Sequence, residues 1–302
     1  MNHHELLDVA SVRLAALVAG DARYFSRSLE GPSLHGAAAA ATVADGVGDL
    51  RHAGVETVDV DTPAGTFAAA YLPWQWHGPD HPTLVYLHGS GERPFDFGRF
   101  GSNSFRRLFV GADVPANLIA VRAPFHEGSN REYLREMGDL ENFVGMLAAS
   151  TGLVDALVDR ASEVTEGPVV VSGISLGGWT VNLHRACHGS ADRYAPLLAG
   201  AAPGELFVSS AYRHLTATAA LERAAHLRDR LDFEAAFTAV EAADCDPLLG
   251  RYDRIVEFDR QRDGYAGLPL AVLETGHVTG ALATERLREH VLGALAAAER
   301  EE

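Results

Sequence analysis

Four short apolar, β-branched runs mark out the chain, at 83–87 (TLVYL), 117–121 (NLIAV), 168–172 (PVVVS) and 268–273 (LPLAVL). Runs this short, without polar alternation, are the pattern of strands covered on both faces. Between most of them apolar residues recur at helical spacing. One such stretch, about 139–163, puts Leu140, Phe143, Val144, Leu147, Val154, Leu157 and Val158 on one stripe; another closes the chain with Leu282, Leu287, Val291 and Leu295. Strand and helix in alternation predict a mostly parallel sheet flanked by helices, an α/β architecture.

The ends of this pattern add three elements. Leu7, Ala10, Leu14 and Leu17 follow helical spacing and Gly20 is a suitable stop, so an N-terminal helix packed through those residues is expected over 5–19. The segments 56–61 and 66–72, joined by Pro63, Ala64 and Gly65, read as an antiparallel hairpin. A long helical pattern at 216–243, carrying Leu221, Leu227, Leu231, Phe233, Phe237 and Val240, falls between two strand candidates and reads as part of a helical cap over about 205–245. No internal repeat or interdomain linker stands out, so 1–302 is expected to form one domain, with an N-terminal extension of helix and hairpin over about 1–75.

Composition narrows the function classes. At 302 residues and 47% hydrophobic, the chain can bury one large core. A formal charge of 25 − 41 = −16, with no lysine, argues against a nucleic-acid partner, which needs clustered cations to neutralise phosphates. Cys187 and Cys245 are too few for a disulfide framework and sit in no zinc-ligand spacing. The N-terminus carries Glu5 where an export signal would carry positive charge, and no apolar run approaches the roughly 20 residues needed to span a bilayer. A cytoplasmic protein without a transmembrane segment is expected; oligomeric state is not readable.

The chemistry centres on Gly173-Ile174-Ser175-Leu176-Gly177. Among 30 glycines the bare G-x-S-x-G pattern is weak. Here, however, an apolar strand runs directly into Ser175 and helix-compatible spacing follows, the strand–turn–helix setting of a nucleophile elbow. A serine hydroxyl needs a neutral imidazole to take its proton, and the imidazole needs a carboxylate to fix its tautomer. Of the 14 histidines, His277 stands on a loop just beyond the 268–273 strand and before the last helix. His184, His188, His214, His226 and His290 lack that setting. Asp253, after a short strand at 247–249 and Gly250, takes the expected place of the acid, with Glu205, Asp246 and Asp259 as alternatives.

The strand at 83–87 runs into His88-Gly89-Ser90-Gly91, where glycines let backbone approach a substrate carbonyl. The N–H groups of Ser90 and Leu176 are therefore the candidate oxyanion hole. His88, Gly89, Gly91, His126 and Trp179 are candidate pocket lining, plain packing being the alternative.

Through His88-Gly89-Ser90-Gly91, Gly173–Gly178, Tyr252-Asp253 and Gly276-His277, the chain resembles the α/β-hydrolase superfamily of esterases, lipases and thioesterases from about Thr83 onward. The resemblance implies an eight-stranded-type sheet, a covalent acyl-enzyme on a small-molecule acyl substrate, and no metal or organic cofactor. An ester or thioester is the expected substrate. The same triad serves peptidases, amidases and acyltransferases, and a hydrolase-fold binding protein without turnover is the alternative of another class.

Overall fold

A computed structural model describes residues 1–98, 101 and 103–301, the side chain of Glu301 excepted. Nine strands form one sheet: β1 (Thr42–Val43), β2 (Glu56–Thr62), β3 (Gly65–Gln75), β4 (Thr83–Leu87), β5 (Asn117–Arg122), β6 (Val169–Ile174), β7 (Arg193–Leu197), β8 (Leu248–Gly250) and β9 (Ala271–Leu273). Their spatial order is β1-β2-β3-β5-β4-β6-β7-β8-β9. The first four in that order pair antiparallel, and every pairing from β5–β4 to β8–β9 is parallel.

The uninterrupted apolar runs have a direct structural cause. In β6, Val169 and Val171 enter a core on one face of the sheet while Val170 and Ile174 enter a second core on the other. β4 and β5 divide in the same way, with Val85, Ile119 and Val121 on the first face and Leu84, Tyr86, Leu118 and Ala120 on the second. Alternate side chains point to opposite faces, so a strand with no polar face must be covered twice. The helices Leu34–Ala39, Leu140–Val164 and Leu176–Cys187 supply the first layer, and Ser104–Phe109 and Thr284–Glu301 the second.

Five expectations need correction. The N-terminal helix is present at His3–Ala19, but its buried residues are Asp8, Val12 and Ala16, and Leu7, Leu14 and Leu17 are exposed. The 216–243 pattern is three short helices, Thr218–Leu221, Ala224–Leu231 and Glu234–Thr238. Leu227, Leu231, Phe233 and Phe237 are buried nonetheless, because each break re-aims the next helix at the same core. The run at 268–273 is paired only over Ala271–Leu273, and Leu282 precedes the final helix instead of joining its stripe. Finally, the sheet has nine strands where eight were expected: β1 is a two-residue edge strand, and β7 lies in a stretch that shows no apolar run.

Candidate active site

The centre of the site is the turn between β6 and the Leu176–Cys187 helix. Ser175 sits there at φ 52°, ψ −110°, a left-handed conformation that is strained for a residue with a side chain. The surrounding packing leaves room only for glycine. A Cβ on Gly173 would stand 2.7 Å from the carbonyl carbon of Gly177, and one on Gly177 would stand 2.6 Å from that of Leu87. Two backbone bonds complete the turn: the Ser175 N–H donates to Leu197 O (2.9 Å) and the Gly177 N–H to His88 O (3.0 Å). The strand–turn–helix motif therefore presents one hydroxyl at the C-terminal end of the central strands.

Two loops from neighbouring strands meet that hydroxyl. His277 Nε2 is 3.0 Å from Ser175 Oγ, and His277 Nδ1 is 2.7 Å from Asp253 Oδ2. The other Asp253 oxygen accepts the N–H groups of Ile255 and Val256, both at 2.7 Å, so the carboxylate is held on both sides. The loops are tied to each other as well, by Arg251 N–H to Leu273 O (2.8 Å) and Tyr252 N–H to Thr275 O (2.9 Å).

Burial and charge compete at this pair. Burial disfavours the charged form of His277, but the hydrogen-bonded Asp253 carboxylate, with Asp8 adding its own charge, leaves the imidazole above its ordinary range. Burial pushes the Asp253 carboxyl up, against the lowering pull of His277. With Asp253 ionised and accepting from Nδ1–H, Nε2 is left unprotonated toward Ser175 Oγ. That arrangement can remove the hydroxyl proton.

Beside the serine, among the described residues, the N–H groups of Ser90 and Leu176 donate to no backbone or side-chain acceptor. The 88–91 loop that carries Ser90 is braced from behind by two histidines. His88 Nε2 accepts the Ala123 N–H (3.1 Å), which makes Nδ1 the protonated nitrogen, donating to Gly89 O (2.7 Å). His126 Nε2 accepts the Gly91 N–H (3.2 Å) while its Nδ1 donates to Pro124 O (2.9 Å). Burial pushes His88 well below its ordinary value and His126 down to about 4, so both rings are neutral near pH 7.

A cavity of about 330 Å³ opens on Ser175 and His277. Its walls are aromatic and aliphatic, with Trp179, Phe143, Phe207, Leu206 and Ile255 among them. Away from Ser175 and His277 its polar lining is Glu92, whose carboxylate accepts the N–H and the hydroxyl of Ser104, and a chain of hydroxyls. Ser90 Oγ–H donates to Tyr133 (3.0 Å), and Tyr24 lies 3.2 Å from Tyr133 and 3.3 Å from Tyr212.

A scan against protein-family models gave no match, and a sequence search of curated proteins gave none either. Solved structures do match. The acetyl xylan esterase 1 of Thermoanaerobacterium sp. JW/SL YS485 aligns with a TM-score of 0.52 at 14% identity, over 93% of this chain and 98% of that one. The acylaminoacyl peptidase of Pyrococcus horikoshii aligns at 0.53 and 13%, over 84% of this chain and 40% of its own. The chain thus spans about 40% of that peptidase's length. Both are α/β-hydrolase superfamily proteins, and what they share with this chain is the sheet and its helical layers. The chain has the α/β-hydrolase fold. A puromycin hydrolase variant also matches, at a TM-score of 0.54 and 18% identity over 84% of this chain and 40% of its own.

On this hydrolase fold Ser175, His277 and Asp253 come together in one hydrogen-bonded row, and Ser90 and Leu176 flank the serine. Gly89 and Trp179 line the cavity. His88, Gly91 and His126 do not: both imidazoles are engaged by backbone groups, His88 by the Ala123 N–H and His126 by the N–H of Gly91. The alternative acids are engaged elsewhere. Glu205 pairs with Arg228 (2.9 Å), Asp246 pairs with Arg193, and Asp259 is exposed beside Arg262 (3.5 Å).

Sequence reasoning passed over Tyr24, in a loop, and Tyr133 and Tyr212, in helical segments of seven and five residues that are too short for a periodic signal, and it gave no role to Asp8, an acid in the N-terminal helix. Among the described residues no cluster of three or more His, Cys, Asp or Glu could hold a metal ion, and no helix is long and apolar enough to cross a membrane.

Proposed function

We propose that this chain is a serine hydrolase that cleaves a carboxylic ester or thioester through an acyl-enzyme on Ser175. The observation that carries the reading is the continuous row Ser175 Oγ, His277 Nε2, His277 Nδ1 and Asp253 Oδ2, with spacings of 3.0 and 2.7 Å, at the mouth of an apolar cavity. In this cycle His277 takes the Ser175 proton as Oγ attacks the carbonyl carbon. The N–H groups of Ser90 and Leu176 hold the oxyanion. The tetrahedral intermediate collapses as His277 gives its proton to the leaving alcohol or thiol, leaving the acyl group on Ser175. Water, deprotonated by the same imidazole, attacks the acyl carbon and releases the acid and free Ser175. Asp253 stays ionised and favours the transient imidazolium.

The cavity supports an apolar or aromatic substrate group, since its volume falls at the lower end of small-molecule sites and its walls carry few polar atoms. The test is a series of chromogenic esters of graded acyl length, run with wild type beside Ser175→Ala. Turnover is expected to fall on the order of 10⁶-fold and fluorophosphonate labelling to vanish. Labelling that persists in Ser175→Ala refutes the assignment.

A further inference from the structure

We propose that Asp8, on the N-terminal helix, is a positioning residue that holds the Asp253 and His277 loops in register for reaction. This rests on the proposed roles of Ser175, His277 and Asp253. Asp8 is 0% exposed, and a carboxylate so placed is costly unless its oxygens are filled. Three backbone donors fill them. Oδ2 accepts the N–H of His277 (2.8 Å) and of Arg254 (3.0 Å), and Oδ1 accepts the N–H of Val278 (2.9 Å). These donors are His277 itself, the residue after it and the residue after Asp253. One side chain, 245 positions away from Asp253 in sequence (253 − 8), thus bridges the backbone of the acid to that of the base.

Two further features are specific to this contact. Gly276 allows the carboxylate in, since a Cβ there would stand 2.7 Å from Asp8 Oδ2. One turn earlier, His4 Nδ1 lies 2.8 Å from Thr279 Oγ1, and its ring stacks on Tyr252 at 5.9 Å, so the same helix grips both loops a second time.

The charge of Asp8 acts in the same sense as that of Asp253, favouring the imidazolium. The titratable side chains that face it are His277 and Asp253. Arg254 contributes its N–H while its guanidinium turns to Glu257 (3.5 Å). On the packed 211–215 segment, Arg213 acts on Glu257, and His214 is influenced by Arg13 and Arg213.

The test compares wild type, Asp8→Asn, Gly276→Ala and Ser175→Ala in the full chain. Folding is checked by circular dichroism and Tm. For Asp8→Asn, kcat is expected to fall about 10²-fold, the cost of a misplacement near 1 Å, with KM unchanged. The acid limb of its kcat/KM profile should move to lower pH, because less negative charge remains to hold the proton on His277. Gly276→Ala keeps every charge and displaces the carboxylate, so kcat should fall with a smaller shift of the limb. A folded Asp8→Asn with a lowered Tm but wild-type kcat and acid limb overturns the proposal and makes Asp8 merely structural. If Asp8→Asn does not fold, Gly276→Ala decides: lost kcat at unchanged KM supports the proposal and wild-type kcat overturns it. Turnover surviving in Ser175→Ala overturns the underlying mechanism instead, so the two failures are told apart.

Discussion

Asp253→Asn is a near-isosteric change whose outcome follows from the hydrogen bonds around one carboxylate. Asp253 accepts three N–H groups, those of Ile255 and Val256 on Oδ1 and of His277 Nδ1 on Oδ2, all at 2.7 Å. Asparagine has one oxygen and one NH₂ to place. Turning the NH₂ toward Ile255 and Val256 would set donors against donors and strand two buried N–H groups, at about 1–3 kcal/mol each. The oxygen therefore stays on the backbone pair and the NH₂ faces His277. An NH₂ there must donate, so Nδ1 becomes the acceptor and the imidazole proton moves to Nε2. That nitrogen lies 3.0 Å from Ser175 Oγ and can no longer take its proton. Such a tautomer exchange in a serine triad costs about 10⁴-fold in kcat, which is about 5 kcal/mol of barrier. The assay is kcat on the best chromogenic ester together with the rate of fluorophosphonate labelling, on protein shown to be folded. A loss below about tenfold refutes the reasoning.

Three further outcomes are expected. Because the carboxylates beside His277 outweigh its burial and raise its pKa, kcat/KM should fall on the acid side with a midpoint above the ordinary imidazole value of about 6.5; below that midpoint the ring is already protonated and cannot act as base. A pH–rate profile with its midpoint at or under that value contradicts the charge argument. Gly177→Ala would place a methyl 2.6 Å from the Leu87 carbonyl carbon, in backbone that cannot yield, and should destabilise by about 1–3 kcal/mol with loss of activity. Gly293→Ala, whose Cβ meets nothing within 4 Å on the final helix, should instead stabilise by about 0.5–1 kcal/mol. Thermal melts of the two variants check the contrast, and similar Tm values refute it.

The parts of the fold legible in sequence were those where one physical demand dominated. β4, β5 and β6 are covered on both faces, so their composition alone marks them. β7 is equally central, but its stretch carries Arg193 and Pro196, and a run broken by a cation and a proline does not look like a buried strand. The structure accommodates both: Arg193 pairs with Asp246 and is only 7% exposed, and Pro196 lies beside Gly173. The reading of 216–243 failed differently. Residues 216–243 contain no glycine or proline, so the breaks near Arg223 and Asp232 left no mark on the apolar spacing. Ser175, His277 and Asp253 were readable because each sits just after a strand end, a position defined by local pattern. The cavity walls were not, since Tyr24, Tyr133, Phe143, Phe207 and Tyr212 come from five separate segments.

The N-terminal helix shows where hydrophobic patterning stops deciding a structure. Packing it through Leu7, Leu14 and Leu17 would bury three large side chains, each worth about 1.5–3 kcal/mol. The helix instead leaves Leu14 63% and Leu17 79% exposed, and turns Asp8, Val12 and Ala16 inward. The opposite orientation would withdraw the one acceptor that satisfies the N–H groups of Arg254, His277 and Val278. Leaving an N–H unpaired costs up to about 1–3 kcal/mol, the full amount only where it is buried as at His277, and removing a charge-assisted acceptor loses the stronger kind of bond as well. The two sums are of similar size, so apolar content alone cannot choose between the faces. Shape then decides: Val12 and Ala16 are small enough for the helix to lie close against the 211–215 turn and the 277–281 helix, which the bulkier leucines would hold apart. A buried polar residue is thus read best by what it could satisfy, and here that is the backbone beneath His277.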